Sequence, residues 1–175
     1  MRIPMRAAGT VLVLLAIAAT ANCWFDPLDR QLKREEAMQI EAPTGYTFIP
    51  CGPATNRSLV EARFGSEGGS FGTNANQLII PPGALQDGET RFKMLDPAKG
   101  DSRIHIVPSV DFAAEANLIL DIRGCAIEDM SKLAVLVYSD EPESRAPQDL
   151  AITAFTDTTI TIPIGHTSTY IIASN

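Results

Sequence analysis

The chain has 175 residues, with 14 basic and 21 acidic side chains for a net charge of −7, and only two histidines and three cysteines. That length accommodates one domain of ordinary size, and 45% hydrophobic against 20% charged residues is a globular composition, not a disordered one. The acidic balance argues against a nucleic-acid binder, which needs a basic face, and against electrostatic adhesion to anionic lipid. The histidine and cysteine count leaves little for a zinc centre.

Residues 1–21 are expected to be a cleaved secretory signal. Arg2 and Arg6 form its positive start, and Ala7 to Ala21 is an uncharged run of 15 residues, shorter than the roughly 20 that span a bilayer. Ala19-Thr20-Ala21 suits ordinary signal peptidase, and Cys23 follows closely. A cysteine at this place resembles the lipobox of bacterial lipoproteins, whose first mature residue is a lipid-carrying Cys. The resemblance implies lipid attachment at Cys23, with Thr20 and Asn22 standing where that motif favours Leu and a Gly or Ala. The alternative is cleavage after Ala21 and a soluble secreted chain. Either route exports the protein and leaves 12 basic against 21 acidic residues, a charge of −9. Lipid on Cys23 leaves Cys51 and Cys125 as an even pair. A free Cys23 leaves an odd thiol, which is unusual in an oxidising compartment.

Residues 22–44 are dense in charge, with Leu28, Leu32, Met38 and Ile40 as sparse apolar points. One short stripe cannot hold a helix alone, so this segment is expected to be a solvated tether with at most a helical turn or two.

From residue 45 to 175 the pattern is that of strands. Short apolar or alternating runs occur at Tyr46–Pro50, Ser58–Phe64, Gln77–Ile80, Thr90–Leu95, Arg103–Val107, Leu118–Arg123, Leu133–Tyr138, Leu150–Phe155, Thr158–Ile162 and Tyr170–Ala173. No helical period and no internal repeat interrupts them. About ten short strands with turn residues between them predict an all-β fold, an antiparallel β-sandwich or barrel. Pro82-Gly83 suits the centre of a type II turn, after which Ala84 and Leu85 return to the core. Leu150–Phe155 and Thr158–Ile162 read as a hairpin turning at Thr156-Asp157.

GGSF (Gly68–Phe71) followed by QLIIPPGAL (Gln77–Leu85) resembles the opening of the ZU-five domain, the β-sandwich of ankyrins and netrin receptors. IHIVPSVDF (Ile104–Phe112), ANLILDIRGC (Ala116–Cys125), LAVLVYSDE (Leu133–Glu141) and GHTSTYIIA (Gly165–Ala173) follow in that family's order. The likeness covers roughly residues 65–174, and is strongest to small secreted bacterial proteins, often lipoproteins. It implies a β-sandwich acting in interaction or scaffolding, with no cofactor, no metal and no common catalytic residues. Some relatives cut themselves inside a His-Phe-Ser motif. The matching bond here is Thr167–Ser168, with His166 to assist and Ser168 as nucleophile. Thr167 stands where that motif has Phe, and an uncut chain is expected.

Other chemistry finds little support in the residues. The run GSEGGSFG lacks the Gly-Lys-Ser/Thr of a phosphate loop and is read as a turn. His105 alternates with Ile104 and Ile106 and is expected on the solvent face, and no G-x-S-x-G marks a hydrolase serine. Asp140-Glu141-Pro142-Glu143 lacks the spacing of a calcium loop, and Asn56-Arg57-Ser58 is a glycosylation sequon with no meaning in a bacterial host. Cys51 and Cys125 each lie just past a strand, where a sandwich can bring distant residues together; a disulfide is expected, with two buried free thiols as the alternative. The functional expectation is a non-catalytic binding module at the cell envelope. Its partner would be an envelope protein or extracellular ligand, its only membrane contact the N-terminal lipid.

Overall fold

The computed structural model describes residues 26–37, 40–52, 58–73, 75–86, 88–96, 100–138 and 147–175. The proposed signal, Cys23, the sequon residues Asn56 and Arg57, and the acidic run 140–143 lie outside them.

Helix α1 (Pro27–Ala37) precedes twelve strands: β1 (Thr47–Phe48), β2 (Leu59–Phe64), β3 (Gly69–Gly72), β4 (Gln77–Ile80), β5 (Thr90–Leu95), β6 (Arg103–Val107), β7 (Asp111–Asp121), β8 (Leu133–Tyr138), β9 (Gln148–Leu150), β10 (Ala154–Phe155), β11 (Thr159–His166) and β12 (Thr169–Ser174). All pairings are antiparallel and form two sheets. The larger runs β2-β5-β6-β12-β8-β9, with β1 also beside β12, and the smaller runs β10-β11-β7-β4-β3. The all-β sandwich expected from the strand pattern is therefore the observed fold.

Period-2 alternation explains the core. Phe92 and Met94 of β5, Ile104 and Ile106 of β6, Val135 and Val137 of β8, and Tyr170 and Ile172 of β12 face Leu78 and Ile80 of β4, Leu118 and Leu120 of β7, and Ile160 and Ile162 of β11. Each such side chain contributes about 1.5–3 kcal/mol on burial. Phe64, Phe71 and Phe92 close one end of the sandwich, with ring centroids 5.6 to 6.3 Å apart. The proline turn is as expected: Gly83 has φ +79, the Ala84 N–H donates to the Pro81 carbonyl at 3.2 Å, and Ala84 and Leu85 are buried.

Several elements differ from the sequence reading. The glycine run contains a strand, β3, not only a turn. A Cβ on Gly69 would sit 2.4 Å from the Phe64 ring, and one on Gly72 2.1 Å from the Asn76 carbonyl, so glycine there permits close packing. Leu150–Phe155 is not one strand. It divides into β9 in the larger sheet and β10 in the smaller, and the chain crosses between sheets from Ala151 to Thr153.

The charged segment also folds further than a turn or two: α1 has 11 residues. Asp26 caps it, accepting the Leu28 N–H at 3.0 Å, and Pro27 takes the first helical position. Leu32 is buried against Leu95 and Val107 on the outer face of the larger sheet, with Leu28 beside it. This outer face is where His105 lies. It is buried, not solvated, and hydrogen-bonded through Nδ1 to Thr169 Oγ1 at 3.0 Å.

Candidate functional site

The β11–β12 turn carries His166, Thr167 and Ser168. Thr167 and Ser168 are buried. Thr167 Oγ1 donates to the Pro108 carbonyl at 2.5 Å and accepts the Val110 N–H at 2.9 Å, which pins this turn to the one before β7. Self-cleavage needs Ser168 Oγ free to attack the Thr167 carbonyl carbon, with a base to receive its proton. That carbonyl oxygen does have donors, Ser109 Oγ at 3.3 Å and His166 Nδ1 at 3.3 Å. Ser168 Oγ, however, donates to the Tyr138 carbonyl on the neighbouring strand, so its proton points at an amide oxygen and not at the imidazole. Among the described residues no non-glycine has a positive φ. Tyr170 is fully buried and donates to the His166 carbonyl; burial pushes its phenol well above the ordinary range.

Cys51 and Cys125 are joined in a disulfide, 74 residues apart in sequence, with Cα atoms 3.7 Å apart. They form an isolated antiparallel bridge between the segments after β1 and β7. Gly52 and Gly124 permit this approach, because a Cβ on Gly52 would lie 2.8 Å from the Gly124 carbonyl oxygen.

Charged side chains gather where α1 meets the sheet. Lys93 Nζ, with its side chain 5% exposed, donates to Asp26 Oδ2 at 2.7 Å and Asp29 Oδ1 at 2.5 Å. Arg91 bridges Glu61 at 2.5 Å and Asp26 at 2.8 Å. Hydrogen bonds from Lys93 and Leu28 hold the Asp26 carboxyl below its usual range. Burial disfavours the Lys93 ammonium, but Asp26 and Asp29 outweigh it and raise its pKa.

An apolar groove lies at the edge of both sheets. It holds about 580 Å³ and is lined by Met130, Leu133, Leu150, Ile152 and Phe155. Met130 is 43% exposed and Phe155 52%. Met130 opens a 3₁₀ turn, Met130–Lys132, capped by Asp129, whose Oδ1 accepts the Ser131 N–H at 2.9 Å. Phe155 comes from β10, just after the crossover. Asp149 sits at the rim and accepts the Tyr46 hydroxyl at 3.0 Å, which raises the tyrosine pKa. The groove thus has apolar walls and a carboxylate among its lining residues. Sequence reasoning missed this groove because Met130 and Phe155 are remote in the chain. The one available signal was a methionine in a polar loop and an aromatic at the end of a strand-like run.

Among the described residues no group of three or more His, Cys, Asp or Glu is placed to hold a metal ion, and no helix is long and apolar enough to cross a membrane. No protein-family model matches the chain, and a comparison with curated proteins finds no match either.

Proposed function

We propose that the protein is an exported, lipid-anchored, non-catalytic β-sandwich of the ZU-five kind, acting as a binding or scaffolding module at the cell envelope. The observation that carries the export reading is the Cys51–Cys125 disulfide, because such bridges persist in oxidising compartments. With those two cysteines paired, Cys23 is the one remaining thiol, the residue the lipobox resemblance marks for lipid. The binding role rests on the groove at Met130 and Phe155, presented by turns on a rigid scaffold. The partner is an envelope protein or extracellular ligand with an apolar side chain to insert. Ser168 acts structurally, and the chain stays uncut.

Fractionation tests the anchor. Wild type is expected with membranes and Cys23→Ser in the soluble fraction, with the lipid mass on the peptide that begins at Cys23. Equal release of both would overturn the anchor and leave a soluble secreted domain. For the groove, Phe155→Asp is expected to abolish recovery of a partner that wild type retains; unchanged recovery would remove the groove from the reading.

A further inference from the structure

Among the described residues, the strands at the ends of the two sheets are β2 and β9 in the larger and β10 and β3 in the smaller. Open edges invite pairing with another chain, and proteins blunt them by shortness, proline, bulges or inward charges. Three of these four are short: β9 has three residues, β10 two, and β3 four that begin and end in glycine. β2 has six, contains no proline, and pairs with β5 along its whole length without a register shift. Its inward side chains, Val60, Ala62 and Phe64, are apolar and pack on the core. Helix α1 covers Leu95 and Val107 farther in on the outer face, while Leu59 is 51% exposed.

The bonding direction of each β2 residue follows from one contact. The Asp96 N–H donates to the Ser58 carbonyl at 3.0 Å, one step ahead of the register that sets Leu59 opposite Leu95. Bonded and non-bonded pairs alternate along an antiparallel ladder, so Val60, Ala62 and Phe64 bond to β5. The N–H and C=O groups of Leu59, Glu61 and Arg63 therefore point to the open edge.

We propose that this edge is a self-association surface: two copies join antiparallel through β2 about a two-fold axis at Ala62, and the larger sheet runs on from one chain into the next. In that register Glu61 stands opposite Arg63 of the second copy, and Arg63 opposite its Glu61. Each such pair exchanges backbone hydrogen bonds and brings opposite charges together on the outer face. Moving the axis to Glu61 or to Arg63 sets like charges against each other, which destabilises a pair. Moving it to Val60 leaves Arg63 beyond the end of the second strand. Neither charge has to give up its present partner. Glu61 accepts from Arg91 at 2.5 and 2.7 Å, and a carboxylate offers about four lone-pair sites. Arg63 reaches Glu89 at 3.4 Å, with the two side chains 63% and 62% exposed, and stands directly opposite Arg91 on β5. A carboxylate from the second copy offsets that like-charge contact. The two-fold covers both open edges at once, so the assembly closes as a dimer. None of this depends on the lipid.

The test is oxidative cross-linking of the exported full-length protein in the cells that produce it, read on non-reducing gels with wild type as background. In the paired register the two Ala62 Cα atoms lie about 4.5 Å apart, within disulfide reach, and the two Leu59 positions about 20 Å apart. Ala62→Cys is expected to form the doubled band about tenfold faster than Leu59→Cys. Chance collision gives the opposite order, because Leu59 is the more exposed. Adding Glu61→Lys or Arg63→Glu to Ala62→Cys is expected to abolish the band. Co-producing those two charge variants is expected to restore it, because every facing pair again joins opposite charges. Equal rates at 59 and 62 would overturn self-pairing, as would charge variants that cross-link unchanged or a band at 62 containing a different protein. So would a mixture that restores nothing although both variants keep the wild-type melting temperature.

Discussion

Asp96 is almost fully buried at the end of β5, and its three partners are neutral. Ser58 Oγ donates to Oδ2 at 2.6 Å; Thr73 Oγ1 and Asn76 Nδ2 donate to Oδ1 at 2.8 and 2.9 Å. Asn76 Oδ1 in turn accepts the Asp121 N–H at 3.1 Å, so one carboxylate ties the edge of the larger sheet to β7 of the smaller. Asp96→Ala is expected to cost about 3 kcal/mol, because two hydroxyls and an amide lose a buried acceptor, read as a lower urea midpoint. Asp96→Asn, which keeps an acceptor, should cost less. Ser168→Ala loses one hydrogen bond to the Tyr138 carbonyl and should cost about 1 kcal/mol. Intact mass should stay constant for days at neutral pH in both wild type and variant; loss of Ser168–Asn175 from wild type alone would show self-cleavage. The disulfide was open to inference from the sequence, since lipid on Cys23 leaves one possible pair. The Asp96 cluster was not. Ser58, the Thr73–Asn76 loop and Asp96 come from three separate segments, and polar residues near turns look alike until the sheets pack.

At the scale of elements, strands whose burial alternates were legible, as in Leu59–Phe64 and Gln77–Ile80. Those that depend on distant partners were not. β7 begins at Asp111, through Ala113, Ala114 and Glu115, residues with little strand preference; there β11 supplies the pairing, His166 opposite Asp111 and Ile164 opposite Ala116. Helix α1 has few apolar residues, and its fixing point is a lysine 60 residues and more away. Its signal was the Asp26-Pro27 start, a capping pair that a count of apolar positions overlooks. The docked helix should respond to acid. The folded Asp26 and Glu61 carboxyls titrate below their usual values, so their contribution is full above about pH 4 and is lost as pH falls through the folded values. Lys93 is raised, so its contribution is complete below about pH 10 and is lost only as pH rises through its folded value. Amide exchange in 27–37 is therefore expected to accelerate on acidification below about pH 4 before the sandwich unfolds. Simultaneous loss of all protection would show that helix and sandwich form one cooperative unit.

For the molecule as a whole, the bridge between Cys51 and Cys125 closes a span of 74 residues that contains β2 to β7. Chain-entropy arguments give such a closure about 4 kcal/mol. Cys51→Ser with Cys125→Ser, or full reduction, should lower the melting temperature by roughly 10 °C or more for a domain of this size. An unchanged melting temperature would place the bridge outside the cooperative unit.

The position of β12 bears on how the chain is made. It is the last strand in sequence, yet it lies inside the larger sheet, with β8 along one side and β6 and β1 along the other. Until residues 169–174 are available, β6 and β8 have no partner between them and Tyr170 and Ile172 leave the interior unfilled. Contacts this remote in sequence form slowly. A chain made amino end first thus stays open and unlocked until strand β12 joins it, and the larger sheet closes in one late step.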